Sequence, residues 1–296
     1  MKFILCQPAI KRFKWELEVC LTRLVKLGYS EFVLLFTTGD SDMPDYFRDK
    51  YGAEVHVYPD DRGMYQYQPS VRPYLWWKYL EENPMAEEET YVYLDSDTIL
   101  RDRFDFSDLS LSPSCWYGSD CGHYLNLNYI KSCTNGEEVA RQMCQIVGID
   151  YSLLDRYNNR TGGAQWVICQ PTAEYWKKVF IDTHKIYAYF NTVDSTIQKW
   201  TAEMWAQFYN MIYFGVVPRV HSELDFAWAT DPIQRWDQVK IYHNAGVTVD
   251  MVDMFYKGQY DNGYEPFDKS FDHINPAKCT SKYVEAVKEV KMNTNG

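Results

Sequence analysis

The stretch TYVYLDSDTIL, Thr90–Leu100, indicates the fold more clearly than any other part of this sequence. Its bulky apolar first half predicts a buried strand, and that strand ends on Asp95 and Asp97. Because side chains alternate along a strand, both carboxylates leave on the same side of the backbone. Two like charges this close cost free energy unless a cation lies between them. We therefore expect a divalent metal, Mg²⁺ or Mn²⁺, which would in turn hold phosphate oxygens.

The alternative interpretation is that this Asp-x-Asp pair lies in a solvated turn after a strand, where such pairs often occur. Two observations favour the metal site. The run before Asp95 is too apolar for an edge strand, and candidate partners for the metal follow further along the chain.

Strand and helix patterns alternate on the N-terminal side of this stretch. The predicted strands are Phe3–Cys6, Glu31–Phe36 and Glu54–Tyr58, and the predicted helices are Trp15–Leu27, Pro44–Tyr51 and Pro69–Leu80. This order predicts an α/β fold with a parallel sheet covered by helices, and with ligands beyond the carboxyl ends of the strands.

The pattern loosens after residue 100, and the sequence ends in an irregular aromatic tail. The predicted elements there are strands Cys115–Gly118, Gly215–Val220 and Val239–Tyr242 and helices Ala173–Tyr189 and Trp200–Tyr213. No linker or internal repeat divides the chain, so one mixed α/β domain is expected.

Composition narrows the function classes. The chain has 296 residues, is 46% hydrophobic and has a formal net charge of −11, which argues against nonspecific nucleic-acid binding through the whole surface. The eight cysteines lack zinc spacing and are expected to be reduced core residues of a cytoplasmic protein. No dinucleotide fingerprint, Walker loop or nucleophile elbow occurs.

His243 follows a predicted strand and opens the turn His243–Gly246. A histidine there is a candidate third ligand for Mn²⁺, although many such histidines are only hydrogen-bonded core or surface groups. Downstream, Lys257 and Gly258 would place a cation and a flexible backbone where a diphosphate needs them.

Gly162 and Gly163 precede a short apolar strand and would permit close approach of a ligand to the backbone. Gln165 follows them and offers a donor and an acceptor. The alternative is an ordinary turn before a strand.

Glu203 lies near the start of an apolar helix, so burial should raise its pKa and suit it to a general base. It could instead only stabilise the helix N-terminus. Asp225 is the rival candidate base. Arg72 could neutralise a diphosphate or pair with Asp60 and Asp61.

Together these residues resemble the nucleotide-sugar-dependent glycosyltransferases of the GT-A fold, in their glycogenin-like and galactosyltransferase-like branch. Tyr91–Thr98 resembles the Asp-x-Asp motif of that superfamily, and Gly162–Gly163 its glycine-rich loop. Thr201–Glu203 resembles its acidic motif, and His243 its C-terminal metal histidine. The sequence departs from the pattern where Ala202 stands in place of a second acid.

The resemblance implies a single GT-A-like domain over residues 1–260, with a nucleotide-binding half (1–100), an acceptor half (101–260) and a tail (261–296) packed on the domain. Its central sheet would be Rossmann-like and mostly parallel, flanked by helices, with a smaller mixed extension. The implied activity is that of a hexosyltransferase-type enzyme with Mn²⁺ or Mg²⁺ and a nucleotide-sugar donor, in the first place a UDP-sugar.

The resemblance also assigns roles to residues. Asp97 and His243 would ligate the metal, with Asp95 near the ribose or a metal-bound water. The other assignments are Gln7 and Arg72 for the nucleoside, Gly246, Lys257 and Gly258 near the diphosphate, Gln165 and Trp166 facing the sugar, and Glu203 or Asp225 as the base of an inverting enzyme.

The acceptor stays open at this point. It could be a glycan or cell-wall polymer, or a hydroxymethylpyrimidine in phage DNA, for which Arg156 and Arg160 offer local positive charge. Two other classes are a sugar-nucleotide-forming nucleotidyltransferase and an inactive GT-A-like binding module. The first lacks its glycine-rich loop after Gln7, and the intact Asp95, Asp97 and His243 argue against the second.

Overall fold

The computed structural model describes residues 1–63, 67–261 and 264–294. Within these ranges the first hundred residues form four parallel strands in the spatial order β3-β2-β1-β4. These elements are β1 (Lys2–Pro8), α1 (Lys11–Lys26), β2 (Phe32–Thr37), α2 (Asp42–Tyr51), β3 (Glu54–Tyr58), α3 (Val71–Glu82) and β4 (Thr90–Tyr93). The predicted alternation of strands and helices is confirmed.

The second half extends the sheet and adds helices. Its elements are β5 (Thr98–Leu100), β6 (Cys115–Asp120), α4 (Leu127–Ser132), α5 (Gly136–Val147), α6 (Leu154–Tyr157), β7 (Gly162–Cys169), α7 (Ala173–Thr192), α8 (Ala202–Tyr213), β8 (Val217–Val220), β9 (Phe226–Trp228), β10 (Ile241–His243) and α9 (Thr280–Thr294). Among the described residues, seven strands form the main sheet in the order β3-β2-β1-β4-β7-β6-β8. Strand β7 runs antiparallel to both of its neighbours.

A three-stranded sheet, in the order β5-β10-β9, connects the two ends of the candidate site. Strand β5 starts directly after Asp97, and its antiparallel partner β10 places His243 opposite Thr98. The Asn244 N–H also donates to the Asp97 carbonyl oxygen at 2.9 Å. Pairing between these two short strands therefore brings His243 to the aspartates from far along the chain.

Helix α9 contradicts the prediction of an irregular tail. The side chains of Tyr283, Val284, Val287 and Val290 recur at helical spacing and are buried. They form a second hydrophobic cluster with Trp15 of α1, apart from the main core around the large sheet. Helix α5 was also missed, although its buried residues recur at helical spacing, at Val139, Ala140, Met143, Cys144 and Val147.

The eight cysteines, all within the described residues, form no disulfide. In the described part of the chain, no helix has the length and apolar character needed to cross a membrane.

Candidate metal and nucleotide site

Asp95, Asp97 and His243 meet at the carboxyl end of β4. The Nε2 atom of His243 lies 3.2 Å from Asp97 Oδ1 and 3.5 Å from Asp95 Oδ2. One ligand atom from each residue can be chosen such that all three lie within 4.8 Å of one another. Oxygen and imidazole ligands at this spacing suit one divalent cation such as Mn²⁺. The structure thus brings together the three residues proposed as metal ligands.

Asp97 is the buried centre of this cluster, and its Oδ2 accepts a hydrogen bond from Lys257 Nζ. Burial alone would raise the pKa of Asp97, but the charges of Lys257 and His243 hold it well below its usual range. Burial would lower the pKa of His243, whereas Asp97 raises it, and the net shift is upward.

The resemblance had suggested that Gln165 faces the sugar. In the structure it lies behind His243 and does not line the cavity. Its side chain is fully buried, with Nε2 at 3.4 Å from His243 Nδ1, and its Oε1 accepts from Ser119 Oγ at 2.8 Å. The preceding residue, Ala164, has a φ of +53° and lines the cavity instead. Gln165 therefore orients the imidazole ring, and Trp166 is buried beside it in β7.

A cavity of about 370 Å³ lies beyond the carboxyl ends of β1 and β4, and the metal cluster forms one of its walls. Gln7, at the end of β1, lines this cavity and is only 2% exposed. Within the described residues neither its amide nitrogen nor its amide oxygen has a hydrogen-bond partner. Buried amides are normally paired, so this side chain offers an unused donor and acceptor to a ligand.

Arg72 and Glu203 form a buried ion pair in the same cavity. Arg72 Nε and Nη2 donate to Glu203 Oε1 at 2.8 and 2.6 Å, and the guanidinium lies 4.8 Å from the centroid of the Tyr93 ring. Burial raises the pKa of Glu203, while Arg72 opposes that shift. The alternative in which Arg72 pairs with Asp60 is not what the structure has, because Arg72 binds Glu203 and Asp60 binds Arg62.

Tyr93 connects this ion pair to the metal cluster. Its hydroxyl donates to Asp95 Oδ1 at 2.6 Å, while its ring lies against Arg72. The orientation of the Asp95 carboxylate is therefore fixed from the same side as the Arg72–Glu203 pair.

The paired glycines serve packing rather than contact with the cavity. A Cβ on Gly162 would lie 2.9 Å from the Trp166 ring, and a Cβ on Gly163 would lie 2.5 Å from Met204 Cε. Neither glycine lines the cavity, so their predicted contact with a ligand is not what the structure places there. Their lack of a side chain is required by the neighbours.

The remaining predicted residues divide by position. Lys257 lines the cavity, whereas Gly258 packs its backbone against the Tyr256 ring, 2.4 Å from where a Cβ would stand. Gly246 has a φ of +79° and turns the chain after His243. Asp225 is not part of the cavity wall. Burial raises the pKa of Asp225, and the charge of Arg235 opposes this rise.

Two charged residues of the cavity wall, Arg12 and Glu16, were not predicted as site residues. Glu16, on α1, is 1% exposed and accepts from Arg12 Nε at 3.1 Å and from Ser96 Oγ at 2.8 Å. Burial and the nearby Asp97 raise its pKa, while Lys257 and Arg12 lower it, and the net shift is upward. A signal was present, because Arg12 and Glu16 share one face of a helix that begins directly after β1.

No family model matches the sequence, and no curated protein is similar to it. Solved structures of similar fold include the following three. The apo bifunctional glycosyltransferase WbbM has a TM-score of 0.51 at 8% identity, covering 99% of this chain and 51% of that one. An active-site mutant of LgtC has a TM-score of 0.50 at 12% identity, covering 98% and 96%. The apo glycosyltransferase GlyE of Streptococcus pneumoniae TIGR4 has a TM-score of 0.50 at 11% identity, and the match covers 99% of this chain and 63% of that one.

The chain has a glycosyltransferase fold. These likenesses confirm the predicted GT-A-like architecture, a single mixed α/β unit with a central sheet flanked by helices and a smaller second sheet. The chain spans about half the length of the WbbM chain that it matches.

Proposed function

We propose that this protein is a metal-dependent glycosyltransferase that moves a sugar from a nucleoside-diphosphate sugar to an acceptor hydroxyl. The observation that carries the proposal is the cluster of Asp95, Asp97 and His243 in the wall of a cavity at the strand ends of a glycosyltransferase fold. The division into a nucleotide half (1–100), an acceptor half (101–260) and a packed tail (261–296) belongs to the same proposal.

Asp95, Asp97 and His243 would hold a Mn²⁺ or Mg²⁺ ion. Such an ion neutralises the negative charge that grows on a departing diphosphate. Lys257 Nζ, already in the cavity wall, would add a second positive charge. Tyr93 keeps the Asp95 carboxylate turned toward the site through its hydrogen bond.

Gln7 supports a nucleotide donor. Its unpaired amide lies in the cavity at the end of β1 and supplies one donor and one acceptor, which match the edge of a base such as uracil. A UDP-sugar is therefore the first donor to test.

Glu203 is the better of the two candidate bases, because it lines the cavity and Asp225 does not. Its carboxylate is held by Arg72, so it would accept a proton from an acceptor hydroxyl only after that ion pair has loosened. The Arg72–Glu203 pair alternatively only shapes the sugar pocket, as expected for an enzyme that needs no base.

The acceptor side of the cavity carries aromatic rings. Trp200 is 51% exposed at the cavity wall, and its ring centroid lies 5.7 Å from that of Tyr124. Such a surface can stack against a sugar ring or against a base. We keep a glycan or cell-wall polymer and a hydroxymethylpyrimidine of phage DNA as acceptors, with the reaction in a cytoplasm, that of the host for a phage protein.

The test is release of nucleoside diphosphate from a panel of UDP-, GDP- and dTDP-sugars with Mn²⁺ and with EDTA, first to water and then to oligosaccharides or modified DNA. We expect release from one nucleotide class that requires Mn²⁺. Asp97→Asn, which keeps the side-chain shape, should release nucleoside diphosphate at least 100-fold more slowly. Release that is equal in EDTA, or equal in Asp97→Asn, would contradict the assigned site.

A thermal-shift assay separates an enzyme from a binding module. Stabilisation that requires both Mn²⁺ and a nucleoside diphosphate supports the transferase, because ligands stabilise the state that binds them. Binding of the nucleotide with equal affinity in EDTA supports a module.

A further inference from the structure

We propose that Lys257 is a built-in counter-ion of the cation site. Its ammonium group holds Asp97 in the metal-free protein and must leave when a divalent cation binds, so that metal and diphosphate bind cooperatively. The inference rests on the proposed function only for the metal site at Asp95, Asp97 and His243.

Protein groups contact both oxygens of Asp97. Oδ1 lies 3.2 Å from His243 Nε2, and Oδ2 accepts a hydrogen bond from Lys257 Nζ. The carboxylate is 5% exposed, so water does little to screen either contact. A divalent cation beside His243 and Asp95 would take Oδ1, so it would share this buried carboxylate with the Lys257 ammonium group on Oδ2.

Lys257 pairs with Asp97 as ammonium with carboxylate. A divalent cation on Oδ1 and the ammonium group on Oδ2 of the same carboxylate would repel each other strongly in this buried environment. We therefore expect the ammonium group to leave Asp97 Oδ2 when a divalent cation binds Oδ1.

The segment that carries Lys257 is fastened independently of its ammonium group. It begins the short helical turn Lys257–Tyr260, and the next residue, Asp261, binds Arg12 Nη1 at 3.2 Å. Tyr260 and Phe255 pack against Trp15 of α1. Release of Lys257 from Asp97 is thus a movement of one long side chain within the cavity, where Nζ would find a diphosphate oxygen.

This exchange couples the two ligands. A metal that binds alone breaks the buried Lys257–Asp97 ion pair and offers Lys257 no new anionic partner. A diphosphate that binds alone meets a lysine whose charge Asp97 already neutralises. When both bind, Lys257 exchanges one anionic partner for another. Since coupling is reciprocal, each ligand raises the affinity of the other by the same factor.

The test is the affinity for Mn²⁺ alone, measured on the full chain by the paramagnetic resonance signal of free Mn²⁺. Lys257→Met removes the competing cation, so we expect it to bind Mn²⁺ at least fivefold more tightly than the native protein. Lys178→Met is the matched control, because Lys178 pairs with the buried Asp182 as Lys257 pairs with Asp97, but neither Lys178 nor Asp182 lines the cavity. It should change the affinity less than twofold.

Calorimetric titration with UDP, in EDTA and at saturating Mn²⁺, tests the coupling. The gain in UDP affinity from Mn²⁺ should be smaller in Lys257→Met than in the native protein. Circular dichroism and the melting temperature show whether each variant folds, and Lys257→Gln, which can still donate to Asp97, replaces Lys257→Met if that variant does not.

The outcomes separate the two proposals. A native protein that binds no Mn²⁺, with or without UDP, would overturn the metal site and with it the proposed function. Mn²⁺ binding that is equal or weaker in Lys257→Met would overturn only the counter-ion role of Lys257. An equal gain in Lys178→Met would show that the net charge of the protein, and not the ion pair with Asp97, sets the metal affinity.

Discussion

Gln7 has a buried amide that binds nothing in the described parts of the protein, and this gives a prediction of two opposite effects. Gln7→Leu removes an unsatisfied polar group while keeping its size, so stability should be unchanged or higher. The affinity for a nucleotide should fall by about fivefold, since a hydrogen bond in a desolvated site contributes roughly 1 kcal/mol. Denaturation and nucleotide titration measure the two effects.

Gln165→Leu is the matched control for Gln7. The Gln165 amide already binds Ser119 and faces His243, so its replacement leaves these buried groups without a hydrogen-bond partner. This should cost about 1–3 kcal/mol of unfolding free energy. If Gln7→Leu proves the more destabilising of the two, the amide of Gln7 has a structural role and the nucleotide assignment loses its support.

At this scale the sequence predicts residues that follow strands but not the pairs formed between distant elements. Asp95, Asp97 and His243 could be proposed because each lies at or just beyond the end of a strand that is visible in the residue pattern. Arg72 and Glu203 are 131 positions apart, and their pairing depends on how α3 and α8 pack. Glu16 was missed because a charged residue on an amphipathic helix normally faces water.

Strand β7 provides a prediction at the scale of one element. Gly162→Ala would place a Cβ 2.9 Å from the rigid Trp166 ring and 3.2 Å from the Gly118 Cα atom. Overpacking of this kind should cost about 1–3 kcal/mol of unfolding free energy, with little change in nucleotide affinity. Lost nucleotide affinity at native stability would instead restore the ligand contact first assigned to this glycine.

The contact between α1 and α9 gives a pH dependence. Arg23 Nη1 donates to Glu289 Oε1 and Oε2 at 3.1 and 2.9 Å, and Lys26 adds a third hydrogen bond. Burial would raise the pKa of Glu289, but these hydrogen bonds lower it below its ordinary value. A lowered pKa in the folded state stabilises the fold above about pH 4.3, and the benefit is lost as pH falls through the folded pKa.

Glu289→Gln should therefore cost about 0.5–1 kcal/mol of unfolding free energy at pH 7, a modest value because the pair is partly exposed. The cost should be smaller at pH 3, which is below the ordinary glutamate pKa of about 4.3. Urea denaturation of both proteins at the two pH values measures this difference, and a cost that is unchanged at pH 3 would show that packing of the side chain, rather than its charge, is responsible.

The elements themselves were predictable to different degrees. The strands and helices of the first hundred residues were recognised because strand and helix periods alternate there without interruption. The antiparallel position of β7 was not, because strand direction depends on long connections that leave no local pattern. Helix α9 could have been found from its apolar spacing at Tyr283, Val287 and Val290.

The whole molecule should unfold in one step. Helix α1 supplies Leu17 and Leu21 to the main core and Trp15 and Val19 to the second cluster, so neither core is complete without it. We expect the far-ultraviolet and near-ultraviolet circular dichroism signals to change at the same urea concentration. Two separated transitions would show that the second cluster folds by itself.

The joining of α1 to α9 has a consequence for synthesis on the ribosome. Arg23 and Glu289 are 266 positions apart. At roughly 5–20 residues per second, α9 is therefore synthesised tens of seconds after α1, and α1 cannot pack against it before then. Until then the apolar side chains of Trp15 and Val19 are exposed on the nascent chain. We expect holdase chaperones to bind this apolar surface on ribosomes that have translated α1 but not α9.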